Sequence, residues 1–173
     1  MGRLGSFEKH LSLVKRIRHE LPQSVIRSTI MIGHPGEGRK EFQEVKSFLE
    51  EAQLDWVGFF VYSREEDTVS YGMRGAFLDK ISNKIANKRR IILEDIQSLI
   101  TPKRLDSWIG QTIDVLVEED VKKENLFIGR GFLDAPEVDG LVVLKGDGLK
   151  EGDVVKAKIL SVSSVDLIAE VVS

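Results

Sequence analysis

The stretch Val25-Ile26-Arg27-Ser28-Thr29-Ile30-Met31-Ile32-Gly33-His34-Pro35-Gly36-Glu37-Gly38 decides how the first hundred residues are read. Its first eight residues are rich in β-branched and apolar side chains and read as a strand; the glycines and proline that follow read as a tight loop. Strand alternation places Arg27, Thr29 and Met31 on one face and Ile26, Ser28, Ile30 and Ile32 on the other.

Working outward, Phe7, Leu11, Val14, Ile17 and Leu21 recur at helical spacing between a Ser6 cap and Pro22. After the loop, Phe42, Val45, Phe48, Leu49 and Ala52 mark a second helix. The run Asp55 to Tyr62 is almost continuously apolar and reads as a strand buried on both faces. Helix, strand, helix, strand is the rhythm of an α/β protein. A basic helix from about Lys80 to Arg104 follows, with the stripe Ile81, Ile85, Ile92, Ile96 and Leu99 and a break at Thr101-Pro102. Two strands are too few for a covered parallel sheet, so this part reads as the tail of a larger α/β unit, with Met1 an internal or engineered start and the first strand's outer edge open to self-association.

From Gly110 the texture changes. Strands are expected near residues 112–118, 126–131, 140–145, 153–161 and 166–172, which suits a small antiparallel barrel of the oligonucleotide-binding type. The expected domains are residues 1–109 and 110–173. Their charges differ in sign: 18 Lys+Arg against 15 Asp+Glu in the first, and 7 against 13 in the second, within a net of −3 for the whole. An acidic module is repelled by phosphate backbones and attracted to a basic partner.

The 173 residues contain no cysteine, which excludes disulfides, thiol catalysis and any cluster held by this chain's own thiolates. His10, His19 and His34 are too scattered for a metal cage, so neither a metal site nor a catalytic residue is expected. No apolar run approaches the roughly 20 residues of a membrane span, and the N-terminus lacks a signal-peptide core, leaving the cytoplasm as the expected compartment. The loop Gly33 to Gly38 has neither the Gly-Lys-Ser/Thr of a P-loop nor a Rossmann glycine pattern. Glu65, Glu66 and Asp67 read as a solvated loop, Lys88-Arg89-Arg90 as a solvated helix face, and Trp56 and Trp108 as core or junction anchors.

The segment Arg27 to Glu37, followed by Phe42, closely resembles the fifth strand and loop of the radical S-adenosylmethionine methylthiotransferases. Tyr62-Ser63-Arg64-Glu65-Glu66-Asp67-Thr68 resembles the end of their sixth strand, with Asp67 where a glycine is usual, and Met1-Gly2-Arg3 resembles the motif ahead of the fifth helix–strand unit. The last 60-odd residues resemble their TRAM domain. The fold implied is the C-terminal part of a TIM-like radical-enzyme partial barrel followed by a five-stranded TRAM/OB-like barrel. Gly129-Arg130-Gly131-Phe132-Leu133-Asp134-Ala135-Pro136-Glu137-Val138-Asp139-Gly140 is similar to the branch that modifies an aspartate of a small-subunit ribosomal protein, whereas the tRNA-modifying branch has a more basic TRAM domain.

The resemblance implies S-adenosylmethionine and two 4Fe–4S clusters in the full-length enzyme, the clusters held by cysteines outside this stretch, so that the chain alone is expected to be inactive. It implies cofactor contacts from Arg27, Thr29, Met31, Gly33 and Tyr62. Docking of a basic ribosomal protein falls to Arg130, Asp134, Glu137 and Asp139. Two alternatives stay open: a tRNA-type enzyme whose barrel binds RNA, and a free-standing nucleic-acid-binding module.

Overall fold

A computed structural model describes residues 5–73, 83–121, 125–135 and 139–172. The chain divides into two compact units, residues 1–100 and 101–173.

In the first unit, α1 (Phe7–Glu20) begins where the Ser6 side chain accepts a hydrogen bond from the Lys9 amide. β1 (Arg27–Ile32) leads through the 33–38 loop into α2 (Arg39–Ala52), whose first turn is closed by the Gly38 amide donating to Glu41 Oε2 at 2.8 Å. The backbone amide of Glu41 itself, then that of Gly38, holds the Glu41 carboxyl below the usual glutamate range, and backbone bonding followed by Ser6 does the same for Glu8. β2 (Trp56–Val61) pairs with β1 in parallel, Arg27 opposite Trp56 and Ile32 opposite Val61.

Ile30, Ile32, Phe59 and Val61 pack on one side with Leu49 of α2 and with Ala86, Leu93 and Ile100 of α3 (Asn83–Asp106). A second cluster joins Leu11 and Val14 of α1 to Ala52, Leu54 and Ile26. The other face of the strand pair is open. Gly58 and Phe60 are exposed, so β2 is not buried on both faces as its apolar run suggested: exposure alternates from Val57 to Val61, and of the β2 residues on that face Trp56, at the start of the strand, is the buried one. Among the described residues, β1 has no strand on its outer edge.

α3 departs from expectation twice. Its buried row is Ala86, Leu93, Gln97 and Ile100, while Ile85, Ile92 and Leu99 are exposed, Leu99 at 67%; Ile81 lies outside the described residues. The rows 85-92-99 and 86-93-100 have the same spacing, and packing selects the second, where small Ala86 admits the close approach of Gly33. The helix also runs past Thr101-Pro102 to Asp106, because buried Ile100, Thr101 and Leu105 anchor both sides of the proline. Proline in a helix interior costs about 3 kcal/mol, which such burial offsets.

The second unit is a closed barrel of β3 (Thr112–Val121), β4 (Leu126–Gly131), β5 (Val142–Lys145), β6 (Val154–Ser163) and β7 (Asp166–Val171), ordered β3-β4-β5-β7-β6. It is not wholly antiparallel, since β7 lies beside β5 and runs parallel to it. The β6–β7 hairpin turns β7 back along the direction of β5, and that pairing closes the barrel. Period-2 patterning puts Ile113, Val115, Val117, Phe127, Val142, Leu144, Ala157, Ile159, Leu167 and Ala169 inside. Large and small residues alternate to fill the taper. Register shifts at Val117/Glu119 and at Ile159/Ser161 bend the two long strands so that the sheet closes.

Gly140 meets the β6–β7 turn so closely that a β-carbon there would lie 1.9 Å from the Val165 carbonyl oxygen. Gly140→Ala is expected to lower barrel stability by about 2 kcal/mol or more, since backbone rather than a flexible side chain must yield. Denaturation followed by Trp108 fluorescence in a Trp56→Phe background tests this; a loss under about 0.5 kcal/mol contradicts it.

Candidate functional site

The face of the strand pair that the helices leave uncovered carries Arg27, Thr29 and Met31 from β1, and Gly58 and Phe60 from β2 in the same register. Gly58 sits mid-strand with only the Thr29 side chain within 4 Å of where a β-carbon would be, the nearest atom at 3.7 Å. A bare glycine in a strand interior is where a ligand or another backbone can approach closely. Thr29, Met31 and Phe60 therefore border a flat floor whose centre is peptide. Arg27 and Thr29 also line an apolar groove of about 850 Å³ along the open edge of β1, walled by Val14, Val45 and Phe48.

At the carboxyl ends of the strands, where α/β proteins bind ligands, the loop is held from both sides. Gly33 adopts φ +83°, and a β-carbon there would lie 3.0 Å from Ala86 Cβ. Its amide donates to Glu37 Oε2 at 2.6 Å. The other Glu37 oxygen accepts from Arg89 Nη1 at 2.6 Å, and the Arg89 guanidinium lies 4.8 Å from the centre of the Phe42 ring. Both members of the pair are nearly buried, at 14% and 13% side-chain exposure. Arg89 is thus a clamp rather than part of a solvated face, whereas Arg90 pairs with Glu94 one turn on.

Tyr62 is buried, its amide donating to Ile32 O at 2.8 Å and its hydroxyl to Ser70 Oγ at 2.9 Å. The His34 ring rests against it edge-on at 5.2 Å, with Nδ1 2.9 Å from the Pro35 carbonyl, so this histidine is packed rather than solvated. Glu65, Glu66 and Asp67 are exposed, and Asp67 has φ +62°, a conformation that explains why glycine suits that position.

The structure thus sets Arg27, Thr29 and Met31 on one face and Gly33 and Tyr62 side by side at its carboxyl end. Arg27 is four residues from Met31, roughly 13 Å along the strand, so the five residues line a wall rather than converge on a point. Sequence reasoning missed Gly58, Phe60 and the Glu37–Arg89 pair. The glycine inside an apolar run was the available signal for the first two; the pair spans 52 residues and left none.

In the barrel, Arg130 is committed to Glu118, donating through Nε at 3.1 Å and Nη2 at 2.6 Å. Asp134 Oδ2 accepts from the Gly131 amide at 3.4 Å and Asp139 Oδ2 from the Ala135 amide at 2.8 Å, so both carboxylates shape the loop they sit on. Glu137 lies outside the described residues. Trp56 and Trp108 are buried. No group of three or more metal-ligating side chains occurs among the described residues, and none of their helices is long and apolar enough to cross a membrane.

The TRAM domain family matches residues 109–172. Among the curated relatives that align with nearly the whole chain are proteins named ribosomal protein uS12 methylthiotransferase RimO. The protein of Treponema denticola is 39% identical over 96% of this chain, that of Fervidobacterium nodosum 40% over 99%, and that of Aromatoleum aromaticum 41% over 98%. Along nearly its whole length the chain is similar to RimO methylthiotransferases, and residues 109–172 of it match the TRAM domain. It spans 39%, 38% and 37% of those three RimO relatives.

Removing one partner of the Glu37–Arg89 pair leaves a nearly buried charge uncompensated and frees the Gly33 loop. Arg89→Leu is expected to destabilise the first unit by about 3 kcal/mol. The double variant Arg89→Leu/Glu37→Gln is expected to recover part of that loss, measured by Trp56 fluorescence in a Trp108→Phe background. Strict additivity of the two substitutions contradicts the coupling.

Proposed function

We propose that this chain is the C-terminal portion of a radical S-adenosylmethionine methylthiotransferase that modifies an aspartate of ribosomal protein uS12, with the barrel docking the substrate. The observation that carries the reading is 37–41% identity to RimO proteins over 84–99% of the chain. The charge of the barrel portion supports it: 7 Lys+Arg against 13 Asp+Glu from residue 110 onward suit a basic protein better than a nucleic-acid backbone.

The open face fits one wall of a nucleoside-sized cofactor site. Gly58 leaves the floor without a side chain, Met31 and Phe60 offer apolar contact, and Arg27 and Thr29 offer hydrogen-bond donors. On this proposal Arg27, Thr29, Met31, Gly33 and Tyr62 border S-adenosylmethionine, which supplies the adenosyl and methyl chemistry when bound. The Glu37–Arg89 clamp keeps the Gly33 loop at the end of that wall. The residues here do not fit an iron–sulfur cluster, because the chain has no cysteine, and both clusters fall to other parts of the full-length enzyme. Among the described residues no strand pairs with the outer edge of β1, which supports continuation of the sheet there by further strands, and the isolated chain is inactive on this reading.

A titration of the chain with purified uS12 and, separately, with tRNA tests the proposal. Binding to uS12 that weakens as salt rises from about 50 to about 200 mM is expected, with tRNA bound far more weakly. Tight, steeply salt-dependent binding of tRNA without binding of uS12 overturns it.

A further inference from the structure

In the loop that leaves β4, Asp134 and Asp139 accept hydrogen bonds from its own backbone, yet one large apolar group is held outward. Leu133 turns into the barrel unit and is buried, whereas its neighbour Phe132 is 59% exposed. The Phe132 ring is not loose: it meets Trp108 edge-to-face at 5.3 Å and 76°, and Trp108 is itself buried. One side of the ring thus rests on a fixed platform while much of its surface meets water.

Exposed aromatic rings on a rigid base are the side chains that dominate protein–protein binding energy, because little conformational freedom remains to be lost. The surrounding charge selects the partner. Arg130, the sole cation between residues 129 and 140, is neutralised by Glu118, and the carboxylates of Asp134 and Asp139 follow on the same loop. A phosphate backbone is repelled there. A lysine or arginine side chain is attracted by the carboxylates and can lie against the ring face.

We infer that Phe132 is the anchor on which a Lys/Arg-bearing segment of a basic protein seats, with the loop carboxylates supplying the attracting field. This rests on the reading of uS12 as substrate and adds to it the residue that makes the contact. Asp134 and Asp139 then act by shaping the loop and by their charge, and Arg130 by holding β4 to β3.

Labelled uS12 is titrated with the full chain by fluorescence anisotropy, using wild type, Phe132→Ala, Phe132→Leu and the exposed first-unit control Val69→Ala. Phe132→Ala is expected to weaken binding about 30-fold. Phe132→Leu, which keeps an apolar cover over Trp108 but removes the ring face, is expected to weaken it about fivefold. Val69→Ala stays within about twofold of wild type. Circular dichroism confirms the fold of each variant, and if Phe132→Ala does not fold, Phe132→Leu decides. Wild-type binding that neither Phe132 variant diminishes overturns the anchor while leaving uS12 as substrate. No binding by wild type overturns the substrate reading and the anchor with it. A tRNA affinity that depends on Phe132 overturns the anchor by making the ring a base-stacking platform.

Discussion

A pair of parallel strands presents two side-chain faces and two outer edges, and everything in the first unit follows from how few of these are covered. α2 and α3 bury one face through Ile30, Ile32, Phe59 and Val61. That leaves Arg27, Thr29, Met31, Gly58 and Phe60 on the other, the surface where the candidate site lies. The covered face needs α3 drawn tight against the end of β1, which the absent side chain of Gly33, the small Ala86 and the Arg89–Glu37 pair together allow. The same three features set the loop at the carboxyl end of the strand, so packing and site geometry share one cause.

Much of this is legible in the sequence where a period and a chemical marker agree. Ile113, Val115 and Val117 alternate, and they line the barrel; Ser6 precedes a helical repeat, and it caps α1. Legibility fails where two patterns are equally good. α3 has apolar rows at 85-92-99 and at 86-93-100, and periodicity has no means of preferring the row that contains an alanine. It fails again where partners are remote. Nothing local to Arg89 points to Glu37, so a run of three basic residues reads as solvated although its middle member is nearly buried. The apolar run of β2 records what its residues are, not how many layers lie over them. Of the candidate site, the face of β1 was readable from alternation, while the bare centre at Gly58 required its partner strand to be placed.

The two units are unlike in charge as well as in architecture, and on the proposed reading this divides the work between them. The α/β unit offers backbone, a cation and polar groups suited to a small cofactor. The barrel offers an acidic exterior and a propped aromatic ring suited to a basic polypeptide. Arg130, Asp134 and Asp139 of the 129–140 segment make bonds that build the loop from which Phe132 projects, beside the docking role proposed for them.

The parallel β5–β7 pair bears on how the barrel assembles in time. Hairpins β3–β4 and β6–β7 join neighbours in the chain and close short loops, so each is quick to form. The β5–β7 pairing sets Val142 against Leu167 and Lys145 against Glu170, a separation of 25 residues that no hairpin can shorten. The β3–β6 pairing spans more still, from 38 residues between Leu116 and Val154 to 46 between Thr112 and Lys158; loop-closure entropy must be met before either pairing contributes anything, which makes the two together the natural late step, a latch between preformed ribbons. Until it closes, β5 and β7 each carry an unpaired edge, and the interval before latching is when this domain is most open to pairing with the wrong chain.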